Sequence, residues 1–231
     1  MGIRLKIRNS VIADVELVIL DNDGTLTDLY TYWSWIAKTR AALIVERLGL
    51  KADVPARLVS VMGLDEKNGR FKPEGPIGVK KRSEVLAAVV ADLKASGVAD
   101  PQPACEWAFA HADELAGEKL DTIVKPIPGA LEFIGRLAGR CKVAVATADN
   151  TERARVSLGH LGVRSIDLIV GGDQVQKSKP DPQTVQIALK KLGVQAAHAV
   201  MVGDSQPDSV CARNAGLKAS IAVPTGTTEM S

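Results

Sequence analysis

Apolar residues recur along this chain with two different periods, and the change of period divides it. Met1 to Asn9 alternates Ile3, Leu5 and Ile7 with Arg4, Lys6 and Arg8, the period of a half-exposed strand. Val15 to Leu20 follows, and Leu17-Val18-Ile19-Leu20 is too short for a typical helix and rich in β-branched residues, so it predicts a buried central strand. After Asp28 the spacing turns helical. Ile36, Leu43 and Leu48 keep that spacing up to Gly49, and Pro55 opens a second helix through Met62. Val85, Leu86, Val89 and Leu93 form a third stripe ending at Gly97, and Asp100-Pro101 supplies an N-cap and a first-turn proline for a helix through Trp107 and Leu115. Between Tyr30 and Lys119 nothing reads as a buried strand.

From Pro126 onward strand and helix alternate. Lys142 to Thr147, Ile166 to Val170, Ala199 to Val202 and Ser220 to Val223 are apolar strands, separated by helices from Thr151 to near Gly162 and from Asp181-Pro182 to Gly193. With Val15 to Leu20 they predict an α/β, Rossmann-like parallel sheet covered on both faces. Residues 29–125 interrupt the alternation after the first strand, so an α-helical cap is expected to be inserted into a core formed by residues 1–28 and 126–231. Ligands bind such sheets at the carboxyl ends of the strands.

That rule gathers a specific set of polar residues. Asp21-Asn22-Asp23-Gly24-Thr25 ends the first strand, where two acids beside an apolar core imply a metal site or a proton-sharing pair. Thr147-Ala148-Asp149-Asn150 ends the second, Gly203-Asp204-Ser205 the fourth with Asp208 a turn later, and Lys179-Pro180 follows the third. Carboxylates, a hydroxyl and a lysine on one rim are the parts of phosphoryl transfer. A carboxylate attacking an anionic phosphate needs a divalent cation, for which oxygen ligands suit Mg²⁺. Charge on the equatorial oxygens needs positioned donors, and a leaving alkoxide needs a second acid to protonate it.

Charge and cysteine content narrow the partner. Among 231 residues, 29 Lys and Arg face 27 Asp and Glu, so no basic field points to nucleic acid or an anionic membrane, and a small partner is expected. Cys105, Cys141 and Cys211 show no Cys-x-x-Cys, which suits a reducing, cytoplasmic compartment and small core residues. The N-terminus lacks the apolar region of a signal peptide, and no window approaches a membrane span.

Asp21-Asn22-Asp23-Gly24-Thr25-Leu26-Thr27-Asp28, Thr147, Lys179-Pro180 and Gly203-Asp204-Ser205-Gln206-Pro207-Asp208 resemble, in order, the four motifs of the haloacid dehalogenase superfamily. The resemblance covers Val15 to about Val223, with only a generic helical likeness in the cap. It implies that Asp21 is a nucleophile forming an aspartyl-phosphate, and that Asp23 is the general acid and then the base that activates water. It also implies Mg²⁺ held by Asp21, the main-chain carbonyl of Asp23 and Asp204, with Asp208 behind them. Thr147 and Lys179 would hold the phosphoryl oxygens with N–H groups of Asn22, Asp23 and Ala148. Members that cleave carbon–halogen bonds lack the second acid, so Asp23 favours a phosphatase, or a sugar-phosphate mutase on the same core. A phosphorylation switch such as a receiver domain is an alternative of another class that leaves the cap unexplained, and a non-catalytic binding protein on the same core is the last, although no motif is lost. Asn22 replaces the apolar residue usual at its position, with little expected consequence.

Other polar residues receive simpler assignments. Asp149 is expected to cap the helix after it, and Lys177 yields to Lys179, which has the Lys-Pro context. Asp28 is left outside the chemistry, and His111, His160 and His198 have no ligand spacing. Tyr30, Tyr32, Trp33 and Trp35 suit hinge packing better than substrate stacking. The segment Asp65 to Arg82, with Gly69, Gly75, Gly78, Pro73, Pro76, Lys67, Arg70, Lys72, Lys80, Lys81 and Arg82, is either a solvated loop or a lid reading an anionic part of the substrate.

Overall fold

A computed structural model describes residues 2–66, 70–72, 75–77 and 80–226. The chain forms two compact units, one of Met1–Asp28 with Pro126–Ser231 and one of Leu29–Lys125. In chain order the elements are β1 (Ile3–Ile7), β2 (Ser10–Val15), β3 (Leu17–Leu20), α1 (Leu29–Leu48), α2 (Val54–Val61), β4 (Leu64–Asp65), β5 (Arg70–Phe71), α3 (Arg82–Ala95), α4 (Gln102–Gly117) and α5 (Leu120–Ile123). They continue with α6 (Ala130–Leu137), β6 (Lys142–Ala146), α7 (Thr151–His160), β7 (Leu168–Val170), α8 (Gln183–Leu192), β8 (Ala199–Gly203), α9 (Gln206–Asn214) and β9 (Ala219–Ala222).

The first unit is built on a five-stranded sheet of order β7-β6-β3-β8-β9, with every pairing parallel. Period-2 alternation sends side chains to both faces. Val18, Leu20, Val143, Val145, Val200 and Val202 pack under Ile134 and Leu137 of α6 and Leu158 of α7. Leu17, Ile19, Ala144, Ala146 and Met201 pack under Val185 and Ala188 of α8 and Cys211 and Ala212 of α9. Because both faces are covered, β3 is fully buried, which explains its uninterrupted apolar run. The register pairs Leu20 with Val145 and Val202, so the residues after β3, β6 and β8 emerge at one level.

The expected strand from Val15 to Leu20 is two elements. Val15 pairs with Ile3 in the antiparallel β1–β2 hairpin, and only Leu17 to Leu20 join the main sheet. Glu16 links them, its N–H donating to His198 O at 2.8 Å. Where the helical segment leaves and returns, Thr27 bridges Pro126 and the Ile127 N–H donates to Leu26 O at 2.9 Å, which closes the first unit around the insertion.

In the second unit α1 presents Trp33, Ile36, Ala37, Arg40, Ala41 and Ile44 as one buried stripe, packed on a stripe of α4 that includes Ala108, Phe109 and Ala112. Pro101, not Asp100, occupies the N-cap of α4 and makes no side-chain cap bond. The unit is also not purely helical: β4 and β5 pair as a short ribbon that buries Leu64 and Phe71. Two-residue strands are too short for sequence alternation to reveal. Within the Asp65 to Arg82 segment, Lys67, Gly69, Pro73 and Gly78 lie outside the described residues, while Lys72 Nζ donates to Ser60 Oγ at 2.6 Å. Tyr32 and Trp33 are buried as an edge-to-face pair with centroids 5.1 Å apart, and Tyr30 meets Phe71.

Candidate active site

Asp21 is the first residue after β3, and its N–H still donates to Val202 O of β8 at 2.9 Å. The chain then folds back tightly. The carbonyl of Asn22 accepts N–H groups of Thr25, Leu26 and Thr27 at 3.2, 2.8 and 3.0 Å, a turn that Gly24 permits with φ of +85°. This fixes Asp21 and Asp23 at the rim, each less than a tenth exposed. Thr27 Oγ1 donates to Asp23 Oδ1 at 3.4 Å and Thr25 Oγ1 to Asp204 Oδ1 at 3.3 Å. Neither threonine hydroxyl is among the sequence-derived site groups, although both lie inside the recognised motif.

Lys179 arrives from the loop before α8, where the Lys179-Pro180 peptide is cis. Its ammonium is buried and donates to Asp21 Oδ1 at 2.6 Å, Asp208 Oδ1 at 2.6 Å and Ala146 O at 3.1 Å. Lys177 is exposed, so geometry also separates the two lysines. The second oxygen of Asp208 accepts the N–H of Ser205 at 3.1 Å and its hydroxyl, the capping box that starts α9. Both oxygens of Asp208 are thereby engaged. Thr147 follows β6 and is almost wholly buried; its Oγ1 accepts the N–H of Asp149 at 3.0 Å, which leaves the hydroxyl proton to be donated elsewhere. Ala148 lies beside it, also buried.

The expected capping role of Asp149 falls to its neighbour. Asn150 Oδ1 accepts the Glu152 N–H at 2.9 Å as the N-cap of α7, while Asp149 Oδ1 accepts the N–H of Asn150 and pairs with Arg153 at 3.1 Å. Asp149 precedes the helix by one residue too many to reach its first-turn N–H groups. Cys105 and Cys211 are buried and their thiols pushed up to about 11, so they remain neutral core groups at physiological pH.

Among the described residues, one oxygen each of Asp21, Asp204 and Asp208 lies within 4.8 Å of the others. The Asp21 carboxyl is raised well above its ordinary value, chiefly by burial; Lys179 opposes the shift and Asp208 and Asp204 reinforce it. Burial alone would push the Lys179 ammonium down, but Asp208 and Asp21 outweigh it and hold the lysine protonated. Asp21 and Asp208 thus share one ammonium in a buried place, with the Asp204 carboxyl beside them. An all-oxygen donor set with excess negative charge fits a hard divalent cation.

A family model for haloacid dehalogenase-like hydrolases matches residues 18–223, nearly the whole chain. The chain belongs to the haloacid dehalogenase-like hydrolases. Among relatives of this hydrolase, the phosphoglycolate phosphatase of Neisseria meningitidis is 28% identical over 210 residues, covering 90% of this chain and 80% of that enzyme. The phosphoglycolate phosphatase of Rhodospirillum rubrum is 40% identical over 107 residues, which span 46% of this chain but only 42% of that enzyme. A solved structure described as a predicted phosphoglycolate phosphatase from Haemophilus somnus superposes with a TM-score of 0.70 at 20% identity, covering 92% of this chain and 87% of the other. A putative beta-phosphoglucomutase from Thermotoga maritima gives 0.58 at 25% identity, covering 89% and 84%. Among the described residues no helix is long and apolar enough to cross a membrane.

Proposed function

We propose that this hydrolase is a Mg²⁺-dependent phosphomonoesterase acting on a small phosphorylated metabolite through an aspartyl-phosphate at Asp21. The observation that carries the reading is the convergence of Asp21 after β3, Lys179 before α8, and Asp204 and Asp208 at the β8–α9 junction onto one buried rim. In this reading the first unit is the catalytic core and the Leu29–Lys125 unit the cap. Asp21, the carbonyl of Asp23 and Asp204 are assigned as Mg²⁺ ligands, with Asp208 orienting them through Lys179 and Ser205. The cation would screen the repulsion between carboxylate and phosphate and stabilise charge on the phosphoryl oxygens.

Asp21 attacks phosphorus, forming the acyl-phosphate bond as the ester P–O bond breaks. Asp23, with Thr27 holding Oδ1, donates its proton to the departing alkoxide oxygen. Asp23 is then ionised and removes a proton from the water that attacks phosphorus, which releases inorganic phosphate and restores the Asp21 carboxylate. Lys179, the Thr147 hydroxyl and N–H groups of Asn22, Asp23 and Ala148 receive the phosphoryl oxygens. The relatives named phosphoglycolate phosphatase favour a short anionic monoester as substrate.

A phosphate-release screen of such monoesters, with Mg²⁺ and with chelator, tests the reading. Turnover that requires Mg²⁺ and disappears in Asp21→Asn is expected; no Mg²⁺-dependent release from any monoester overturns it. The mutase likeness motivates a second reading, transfer to a sugar hydroxyl. Single turnover in H₂¹⁸O separates the two, because hydrolysis places label in free phosphate and a mutase returns isomerised sugar phosphate.

A further inference from the structure

The segment after β9 closes on the same carboxyl that the proposed function assigns to Mg²⁺. Thr225 Oγ1 donates to the carbonyl of Gly24 at 2.5 Å, which ties the end of the sheet to the nucleophile loop. The next residue, Gly226, approaches Asp204 so closely that a Cβ built on it would stand 1.8 Å from Asp204 Oδ2. Gly24 presses on the same group: a Cβ there would meet Asp204 Cγ at 2.7 Å. Thr25 Oγ1 donates to Asp204 Oδ1 at 3.3 Å. Thr225 and Gly226 lie beyond the stretch that the family model matches, 18–223.

We infer that Thr225 and Gly226 are positioning residues which set the orientation of Asp204 and hence the affinity of the site for Mg²⁺. The inference rests on the reading of Asp204 as a metal ligand. Its physical basis is steric and local. Asp204 is the first residue after β8, and two glycines without Cβ atoms and the Thr25 hydroxyl line part of the space its carboxyl occupies. A methyl group at Gly226 must displace the carboxyl or the segment. Loss of the Thr225 hydroxyl releases Gly24, the other wall, without adding any atom.

The test is Mg²⁺ binding to metal-free protein, measured by calorimetry and by the Mg²⁺-dependent rise in Tm, on the wild type, Asp204→Asn, Gly226→Ala, Thr225→Ala and Thr225→Ser. Gly226→Ala is expected to weaken Mg²⁺ by about tenfold or more, Thr225→Ala by several-fold, and Thr225→Ser to stay close to wild type, in keeping with losses of about 10–100-fold when a ligand's supporting contacts are removed. At saturating Mg²⁺ the KM of both alanine variants should stay near wild type, which a general loss of structure would not allow. If Gly226→Ala lowers the metal-free Tm, the Thr225 pair decides. Mg²⁺ affinity unchanged in Thr225→Ala and in folded Gly226→Ala overturns the inference alone. A wild type that binds no Mg²⁺, or an Asp204→Asn that binds as well as wild type, overturns the metal site and the inference with it.

Discussion

The Lys179 ammonium and the Arg40 guanidinium are both buried, one in each unit, and their surroundings are opposite in kind. Lys179 stands at strand ends among Asp21, Asp208 and Asp204, so acids outnumber the cation. Arg40 projects from the middle of α1, donates to Asp113 Oδ1 at 3.0 Å and lies 4.1 Å above the ring of Phe109. Arg82 Nε donates to the other oxygen of Asp113 at 3.0 Å and lies 5.4 Å from the same ring, so here cations outnumber the acid and aromatic faces offset the excess. A cluster carried on regular helices, with aromatic faces covering its excess cation, holds a unit together. One carried at strand ends and a helix start, where three carboxyl groups converge beside a single ammonium, has a place for a further cation, and it is the one where chemistry is proposed.

The largest expected effect breaks the Lys179 cluster at its proposed nucleophile. Asp21→Asn should lower kcat by about 10³-fold or more, because in the proposed mechanism no other group supplies the attacking oxygen. The same change should stabilise the metal-free protein. The Asp21 carboxyl is raised above its ordinary 3.8 in the folded state, so at pH values between the two the native state holds a proton the unfolded chain has lost. Stability of the metal-free wild type therefore falls as pH rises from 3.8 through the folded value and stays lower above it. Urea melts across pH in chelator should show that slope in the wild type and not in Asp21→Asn; equal slopes would remove Asp21 as its source.

Lys179→Met comes next, with kcat expected to fall about 10²- to 10³-fold as the proposed preorganised donor to the phosphoryl group is lost. A Lys179→Met enzyme within threefold of wild type would reduce this lysine to a structural partner of Asp208. The Arg40 cluster should respond in the reverse manner. Asp113→Ala removes the carboxylate shared by two arginines, one of them wholly buried, and should cost about 2–4 kcal/mol of stability. Its kcat, measured well below its Tm, should move far less than that of Lys179→Met. A large loss of activity without loss of stability would erase the distinction between the clusters.

The sheet was legible in the sequence because buried parallel strands need uninterrupted apolar runs, as in Leu17 to Leu20, and because Asp21, Thr147, Lys179 and Asp204 each punctuate the end of a run or the loop after it. The motif residues share the rim for that reason. What escaped reading depends on contacts between distant positions. Thr25 with Asp204 and Thr225 with Gly24 join residues 179 and 201 positions apart, and no local pattern encodes them. The Arg40 cluster escaped for the opposite reason: a charged residue in an apolar stripe reads as solvent-facing unless Asp113 and Phe109 are known to meet it. Pro101 displaced Asp100 at the α4 cap by one residue, the scale at which a helix start shifts without changing the fold.

The smallest effect tests whether the acid cluster tolerates a neutral change beside it. Asn22 is 2% exposed and its Oδ1 has no hydrogen-bond partner among the described residues, although its main-chain carbonyl anchors the loop. A buried acceptor without a donor costs about 1–3 kcal/mol, and a leucine of similar length removes it while leaving the carbonyl in place. Asn22→Leu should therefore raise stability by about 0.5–1 kcal/mol, smaller than the full penalty because the branched side chain must repack. For a chain of this size that is a rise in Tm of about 1–4 °C, readable by calorimetry. Activity should stay near wild type, since the loop uses Asn22 through its backbone. A variant that instead loses most of its activity at unchanged Tm would assign the Asn22 amide to the substrate, and the acid-rich rim would then extend to a side chain that the motif alone treats as filler.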